Sequence, residues 1–281
     1  MTTTLTTSVI VPAKDEGERL EGTLNSLANQ RTVPNEVIVV AIGEETVAVA
    51  REHSRVDVVV REDELSGDEL SGDELFGDEL CEGEVVPNSK SEPRRRDPVP
   101  RADGGENSSP TRGPGWARNS GAERATGDVL CFTDADTVVP PTWVGDHSRH
   151  YRRPEVVGVG GPLDPLESGL RHRVCFRILS DWWYRVSWLL GFVQQPGSNC
   201  SVRRTAFERH GGFDESLAFL EDTDLSLRLR GNGEIVLDTE CRVETSVRRQ
   251  EREGYVGLFL TYARGYLAYV FPGRTPPGGY F

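Results

Sequence analysis

The chain has 281 residues, enough for one large domain or two small ones, and its 36% apolar content still supplies a core of real size. A formal net charge of −13 argues against a nucleic-acid partner, because nucleic-acid binders are ordinarily basic. The cations are almost all arginine, with Lys14 and Lys90 the two lysines, and an acidic, lysine-poor surface of this kind suits the salt-rich cytoplasm of a halophilic prokaryote.

In chain order, Ser8 to Pro12 is a short β-branched run that predicts a first strand, followed by a loop over Ala13 to Gly17. Glu18 to Asn29 carries Leu20, Leu24 and Leu27 at helical spacing. A second strand, Glu36 to Val40, follows the Pro34-Asn35 turn; Glu44 to His53 reads as a helix and Val56 to Val60 as a third strand. Strand and helix in alternation predict an α/β fold with a mostly parallel sheet covered by helices. The pattern then breaks. Residues 62 to 84 hold eleven carboxylates and the tandem units Leu65-Ser-Gly-Asp-Glu69, Leu70-Ser-Gly-Asp-Glu74 and Leu75-Phe-Gly-Asp-Glu79. Such charge density cannot be packed away, so 62–112 is expected to be a disordered acidic insertion, with a mobile lid or an arm folding onto Arg94-Arg95-Arg96 as the other reading.

Trp116 to Gly127 predicts a helix whose small residues Ala117, Gly121, Ala122 and Ala125 let it lie close to a sheet, with Gly127 ending it. Val129 to Phe132 is a buried strand that runs into Asp134-Ala135-Asp136. In open α/β sheets ligands bind at strand C-terminal ends, and two carboxylates there repel unless a cation sits between them. A divalent metal carrying a diphosphate and a solvated turn both fit this motif. His147 and His150, on a helix beginning at Pro141, read as a solvated pair rather than metal ligands. Glu155 to Gly160 is the next strand, and its glycines do not make a dinucleotide motif. Val174 to Val193 predicts a helix with Ile178, Trp182, Val186, Leu189, Leu190 and Val193 on one face, expected to pack on the core, with a membrane surface as the alternative. Glu221, Asp222 and Asp224 stand in the first turn of a helix, where the dipole favours carboxylates, and Gly231 closes that helix. Glu253 to Phe271 is a last amphipathic helix stopped by Pro272, its aromatic face meeting either the core or lipid headgroups. The five cysteines are odd in number and include no C-x-x-C, a reduced cytosolic pattern. The N-terminal residues do not resemble a signal peptide and no run of eighteen apolar residues occurs. The expected location is the cytoplasm, with the inner face of the membrane left open.

Together these segments resemble the inverting family 2 glycosyltransferases, which have the GT-A fold (the nucleotide-diphospho-sugar transferase, Rossmann-like sheet). The resemblance rests on Val9-Ile-Val-Pro12-Ala13-Lys14-Asp15-Glu16, Ala117-Arg118-Asn119-x-Gly121, the D-x-D of Asp134 and Asp136, Gly197-x-Asn199, Arg203-Arg204-x-Ala206-Phe207, Gly211 to Glu215 and the pair Glu221-Asp222. It gives a glycosyltransferase domain over 1–245 and an amphipathic helix and tail over 246–281. It implies a nucleoside-diphosphate-sugar donor, a bound Mg2+ or Mn2+, and a glycan or lipid-linked acceptor. Pro12, Ala13 and Glu16 would line the nucleotide, and Arg118 would reach the base or the diphosphate. Asp134 would contact ribose or metal and Asp136 would ligate metal. Asp222 would be the general base, with Glu221 beside it raising the pKa of one of the pair. Two segments depart from the family: Val40 is followed by Ala41-Ile42-Gly43 rather than acidic residues, and Thr245 to Arg249 stands where processive members have Q-x-x-R-W. The nucleobase is therefore open, and a single addition is expected rather than polymerisation. A nucleotidyltransferase and a non-catalytic nucleotide-sugar-binding protein are the competing readings; the oligomeric state is not legible.

Overall fold

The β-branched run near the N-terminus forms β1 (Thr7–Lys14), and Val9, Ile10 and Val11 are fully buried, so the strand is covered on both faces as a central parallel strand must be. A computed structural model of the chain describes residues 5–62, 113–167, 169–182, 185–186, 188, 194–217 and 219–270. The acidic repeats at 65–79, and the rest of the expected insertion from 63 to 112, lie outside the described residues.

After β1 come α1 (Gly17–Ala28), β2 (Glu36–Ile42), α2 (Glu44–Glu52) and β3 (Val58–Arg61). β2 pairs parallel to β1 with Ser8 opposite Glu36, and β3 pairs parallel to β2. The chain resumes in α3 (Pro114–Arg124) and β4 (Val129–Phe132), and β4 pairs parallel to the other side of β1 with Thr7 opposite Val129. The order therefore reverses between β1 and β4, which places a ligand crevice at their C-terminal ends. Next come β5 (Thr137–Val138), α4 (Trp143–His150), β6 (Val156–Gly160), β7 (Leu163–Pro165), α5 (Leu170–Phe176) and a π-helical turn over Arg177–Trp182. The last described elements are β8 (Cys200–Arg203), α6 (Arg204–Arg209), α7 (Glu221–Arg230), β9 (Glu234–Leu237), β10 (Val243–Thr245), α8 (Arg248–Glu253) and α9 (Tyr255–Val270). The main sheet runs β3-β2-β1-β4-β8-β6-β9, with β8 antiparallel to both neighbours. This is the mostly parallel, helix-flanked sheet of the GT-A fold. A second sheet, β5-β10-β7, has strands of two or three residues, too short for hydrophobic periodicity to reveal.

Two apolar layers cover the sheet. One gathers Leu20, Leu24 and Leu27 of α1 with Trp143; the other gathers Ile10, Phe132, Phe207, Phe213 and Leu229. The rings of Phe132 and Phe213 meet edge to face at 5.2 Å. The stripe of small residues on α3 behaves as expected: a Cβ on Gly121 would stand 2.5 Å from Ile10 Cγ2.

Three expectations change. α3 stops at Arg124 with Ala125 in an extended conformation, so Gly127 does not end it; a Cβ on Gly127 would stand 2.7 Å from the Ser8 amide nitrogen, and close approach to β1 is its reason. His147 and His150 are not a solvated pair. His147 is fully buried against Ser201 Oγ (2.8 Å) and Asn199 Oδ1 (3.1 Å), and His150 Nε2 meets Asp238 at 2.8 Å. The apolar residues from Val174 onward do not all pack inward either: Val174 is 48% and Ile178 54% exposed. The last amphipathic helix is present as α9, shorter by two residues at its start, with the separate turn of α8 before it.

Candidate active site

Two loops open at the crevice. Asp15 holds a left-handed φ of 52° at the end of β1, which turns the chain sharply into α1. Glu16 stands at the N-cap position of that helix without a side-chain capping bond; its amide donates to Thr46 Oγ1 at 3.0 Å, and its carboxylate accepts from Arg19 at 3.0 Å and from Arg248 of α8. Pro12 and Ala13 stand opposite Val40 and Ala41 on the last residues of β1, Ala13 buried and Pro12 partly exposed. On the neighbouring loop, the Thr23 hydroxyl of α1 donates to the Ala135 carbonyl at 2.8 Å and ties down the turn between Asp134 and Asp136. The Ser246 amide donates to the Asp136 carbonyl at 3.2 Å. Burial pushes the Asp136 carboxyl up to about 6, with the negative charges of Asp134 and Glu16 adding and Arg248 opposing.

A second carboxylate pair comes from α7. Leu220, at φ 66°, turns the chain into the helix and sets Glu221 and Asp222 on its first turn. Asp15 and Leu220 are the two non-glycine residues with positive φ among those described, and both flank this crevice, where strained backbone tends to concentrate. Asp222 accepts from the Gly197 amide at 3.0 Å and from the Thr223 amide at 2.6 Å. Its pKa is raised, burial outweighing the Arg118 charge and these hydrogen bonds. Glu221 is raised as well, by burial first and by the Asp222 charge, with Arg118 opposing.

Arg118 of α3 joins the two pairs. The residue is 4% exposed, and its guanidinium donates from Nη1 to Glu221 Oε1 at 2.6 Å and from Nη2 to Asp134 Oδ1 at 2.8 Å and lies 5.6 Å from the Phe213 ring centre. A Cβ on Gly197 would stand 2.7 Å from Arg118 Nη2, so a larger residue here would push against the guanidinium that this loop covers while its amide reaches Asp222. Glu16, Arg118, Asp134, Asp136, Glu221 and Asp222 thus form one charged layer, with Pro12 and Ala13 at its β1 side. Sequence reading missed the Gly197 and Thr223 amides and the Arg248 contact with Glu16. Arg248 is 232 residues from Glu16, and nothing local in either segment signals that contact.

Among the described residues no three His, Cys, Asp or Glu side chains converge as a ready-made metal cage. A Mg2+-like ion does not need one, since it takes one or two carboxylates together with substrate phosphate oxygens. Asp136 fits that role: Arg118 holds an oxygen of Asp134, whereas Asp136 is crowded by like charge that a cation would relieve.

Comparison with known proteins fits this geometry. The family model described as "Glycosyl transferase family 2" matches residues 8–67 and 108–209. The O-antigen biosynthesis protein RfbC of Myxococcus xanthus is 27% identical over 180 residues, 56% of this chain and 14% of that protein. The glucosyl-dolichyl phosphate glucuronosyltransferase of Haloferax volcanii is 29% identical over 124 residues, 37% of this chain and 35% of its own. The matched regions therefore span about a third or less of these relatives' lengths. Among solved structures, the mannosyltransferase PcManGT of Pyrobaculum calidifontis in complex with GDP-Man and Mn2+ superposes with a TM-score of 0.63 at 17% identity, over 98% of this chain and 67% of that one. TarS 1-349 of S. aureus in complex with UDP-GlcNAc gives a TM-score of 0.54 at 15% identity, over 87% of this chain and 59% of that one. The sheet order, the crevice at the end of β1 and β4, and a family match across more than half the sequence lead to one conclusion: the chain belongs to glycosyl transferase family 2.

Proposed function

We propose that this domain transfers one sugar, with inversion, from a nucleoside-diphosphate-sugar donor to a lipid-linked or cell-surface glycan acceptor, at the cytoplasmic side of a membrane. The observation that carries the reading is the Arg118 bridge, which unites the carboxylates after β4 and those of α7 in one crevice. Pro12, Ala13 and Glu16 line the nucleotide end. Asp136, with the remaining oxygen of Asp134, would hold Mg2+ or Mn2+, which when bound neutralises the departing diphosphate. Asp222 takes the proton from the acceptor hydroxyl as its oxygen attacks the anomeric carbon on the face opposite the leaving group. A single base on one face and a leaving group on the other give one displacement, hence inversion. The Gly197 and Thr223 amides fix the Asp222 carboxylate in place, and Arg118 holds Glu221 away from the proton transfer. The names of the relatives, one of O-antigen biosynthesis and one acting on a dolichyl phosphate, support an envelope glycan or lipid-linked acceptor. The haloarchaeal relative and the acidic, lysine-poor composition support a salt-rich host.

Calorimetric titration with UDP, GDP and their sugars, with and without Mn2+ at high salt, tests the reading. Metal-dependent binding of one nucleotide series, lost in Asp136→Ala, is expected and would name the donor. A folded protein that binds none of them would overturn it.

A further inference from the structure

α9 has one charged residue, Arg264, among sixteen, yet several of its apolar side chains are exposed. Its inner face docks on the body. Leu258 is buried, a Cβ on Gly265 would collide with the Phe219 ring, and the Tyr269 hydroxyl donates to Asp224 Oδ1 at 2.7 Å. Its outer face is also apolar: Val256 is 74% exposed, and Phe259, Leu260 and Leu267 are each about half exposed. A helix apolar on all sides belongs in an apolar surrounding, and water is not one.

α5 continues this outer face. The His172 ring nitrogen Nδ1 meets the Tyr255 hydroxyl at 2.8 Å, and the Arg171 guanidinium lies 5.7 Å from the Tyr255 ring centre, so α5 lies beside the start of α9. Leu170, Val174 and Ile178, four residues apart, form a second exposed apolar stripe, with Leu170 81% exposed. Arg171, Arg173 and Arg177 are exposed along the same segment. Residues 170–180 and 255–270, the two segments that form this face, together carry four arginines and no carboxylate, in a chain whose net charge is −13. The apolar face is thus rimmed by the charge opposite to that of the rest of the molecule.

We propose that the outer faces of α5 and α9 form a docking surface for an anionic lipid bilayer. The apolar side chains enter the headgroup boundary and the arginines meet lipid phosphates, the arrangement of an interfacial helix. α9 lies on the bilayer and does not cross it: sixteen residues rise about 24 Å, short of the hydrocarbon thickness, and no helix among the described residues is long and apolar enough to span. The inner side of α9 reaches Thr223 and Asp224, the residues that follow Asp222, so the docked surface would stand one helix away from the crevice.

The test is flotation of the full chain with vesicles, and it uses no donor or acceptor, so its result is independent of the transferase reading. Vesicles of phosphatidylcholine with about a third phosphatidylglycerol should carry the protein roughly tenfold better than phosphatidylcholine alone, and added salt should weaken the difference. Phe259→Asp/Leu260→Asp, and separately Arg171→Gln/Arg173→Gln/Arg177→Gln, should each lower flotation roughly tenfold while thermal melting stays cooperative. Val33→Asp, an exposed apolar site in the loop before β2, should change nothing. Failure of the folded chain to float with either vesicle would overturn the proposal, as would undiminished flotation of Phe259→Asp/Leu260→Asp. A concentration-dependent dimer abolished by that variant, without flotation, would also overturn it by making this face a contact between two copies.

Discussion

Arg118 is a small part of the chain with a large electrostatic duty. Glu221 is 7% exposed, and taking a carboxylate that far out of water is tolerable only beside a cation. Arg118→Met should therefore lower stability by about 3 kcal/mol, read as a shift in the urea midpoint. Arg118→Lys should recover only part of that, since one ammonium cannot serve two carboxylates as a planar fork does. At Asp222 the expectation is kinetic. Asp222→Asn should lower transfer by about 10²–10⁴-fold with donor binding by calorimetry unchanged. Because burial raises the Asp222 pKa, transfer should fall as pH drops through a value above the ordinary aspartate range, for the protonated acid cannot accept the acceptor's proton. A wild-type acid limb no higher than that range would contradict the base assignment.

At the scale of an element, the close seat of α3 on the sheet sets where Arg118 points. Gly121 faces Ile10 and Val40, and a Val40 methyl lies 3.1 Å from where its Cβ would be. Gly121→Val should cost about 1–3 kcal/mol by overpacking, measured by denaturant unfolding. Gly22, exposed in the middle of α1 with no atom within 4 Å of an added Cβ, gives the opposite sign: Gly22→Ala should stabilise by about 0.5–1 kcal/mol in the same assay. The contrast separates a glycine needed for close packing from one that merely loosens a helix.

For the whole molecule, the buried network around His147 ties α4 to β8. Trp143 Nε1 donates to Asn199 Oδ1 at 2.8 Å, His147 meets Asn199 and Ser201, and the Asn199 amide donates to the carbonyls of Pro162 and Cys241. Burial pushes the His147 pKa down to about 4, whereas the unfolded chain should show the ordinary value near 6.5. The unfolded state therefore binds the extra proton first. The stability this neutral histidine contributes is complete above about pH 6.5 and is lost as pH falls toward 4, by at most about 3 kcal/mol. Thermal unfolding of wild type and His147→Gln across that window should show the wild type losing its advantage on acidification. A constant difference would mean that His147 does not titrate between the two states.

The amino-acid sequence alone determined the alternation of strand and helix, because β-branched runs and leucines at helical spacing are local signals. It also determined where the carboxylates stand, at the end of β4 and on the first turn of α7, because turn and helix-start chemistry is local as well. It could not determine the two-residue strands of the second sheet or the insertion of β8 antiparallel between β4 and β6, which depend on pairing partners far along the chain. Nor could it show that His147 turns inward or that the apolar stripe of α5 turns outward, since periodicity marks a face without saying what the face meets. Only the tertiary structure brought Arg118 to Glu221 across 103 residues and Gly197 to Asp222 across 25. The physical reason is one of range: propensity and pattern act over a few residues, whereas a buried ion pair forms only where packing of the whole sheet has already removed its members from water.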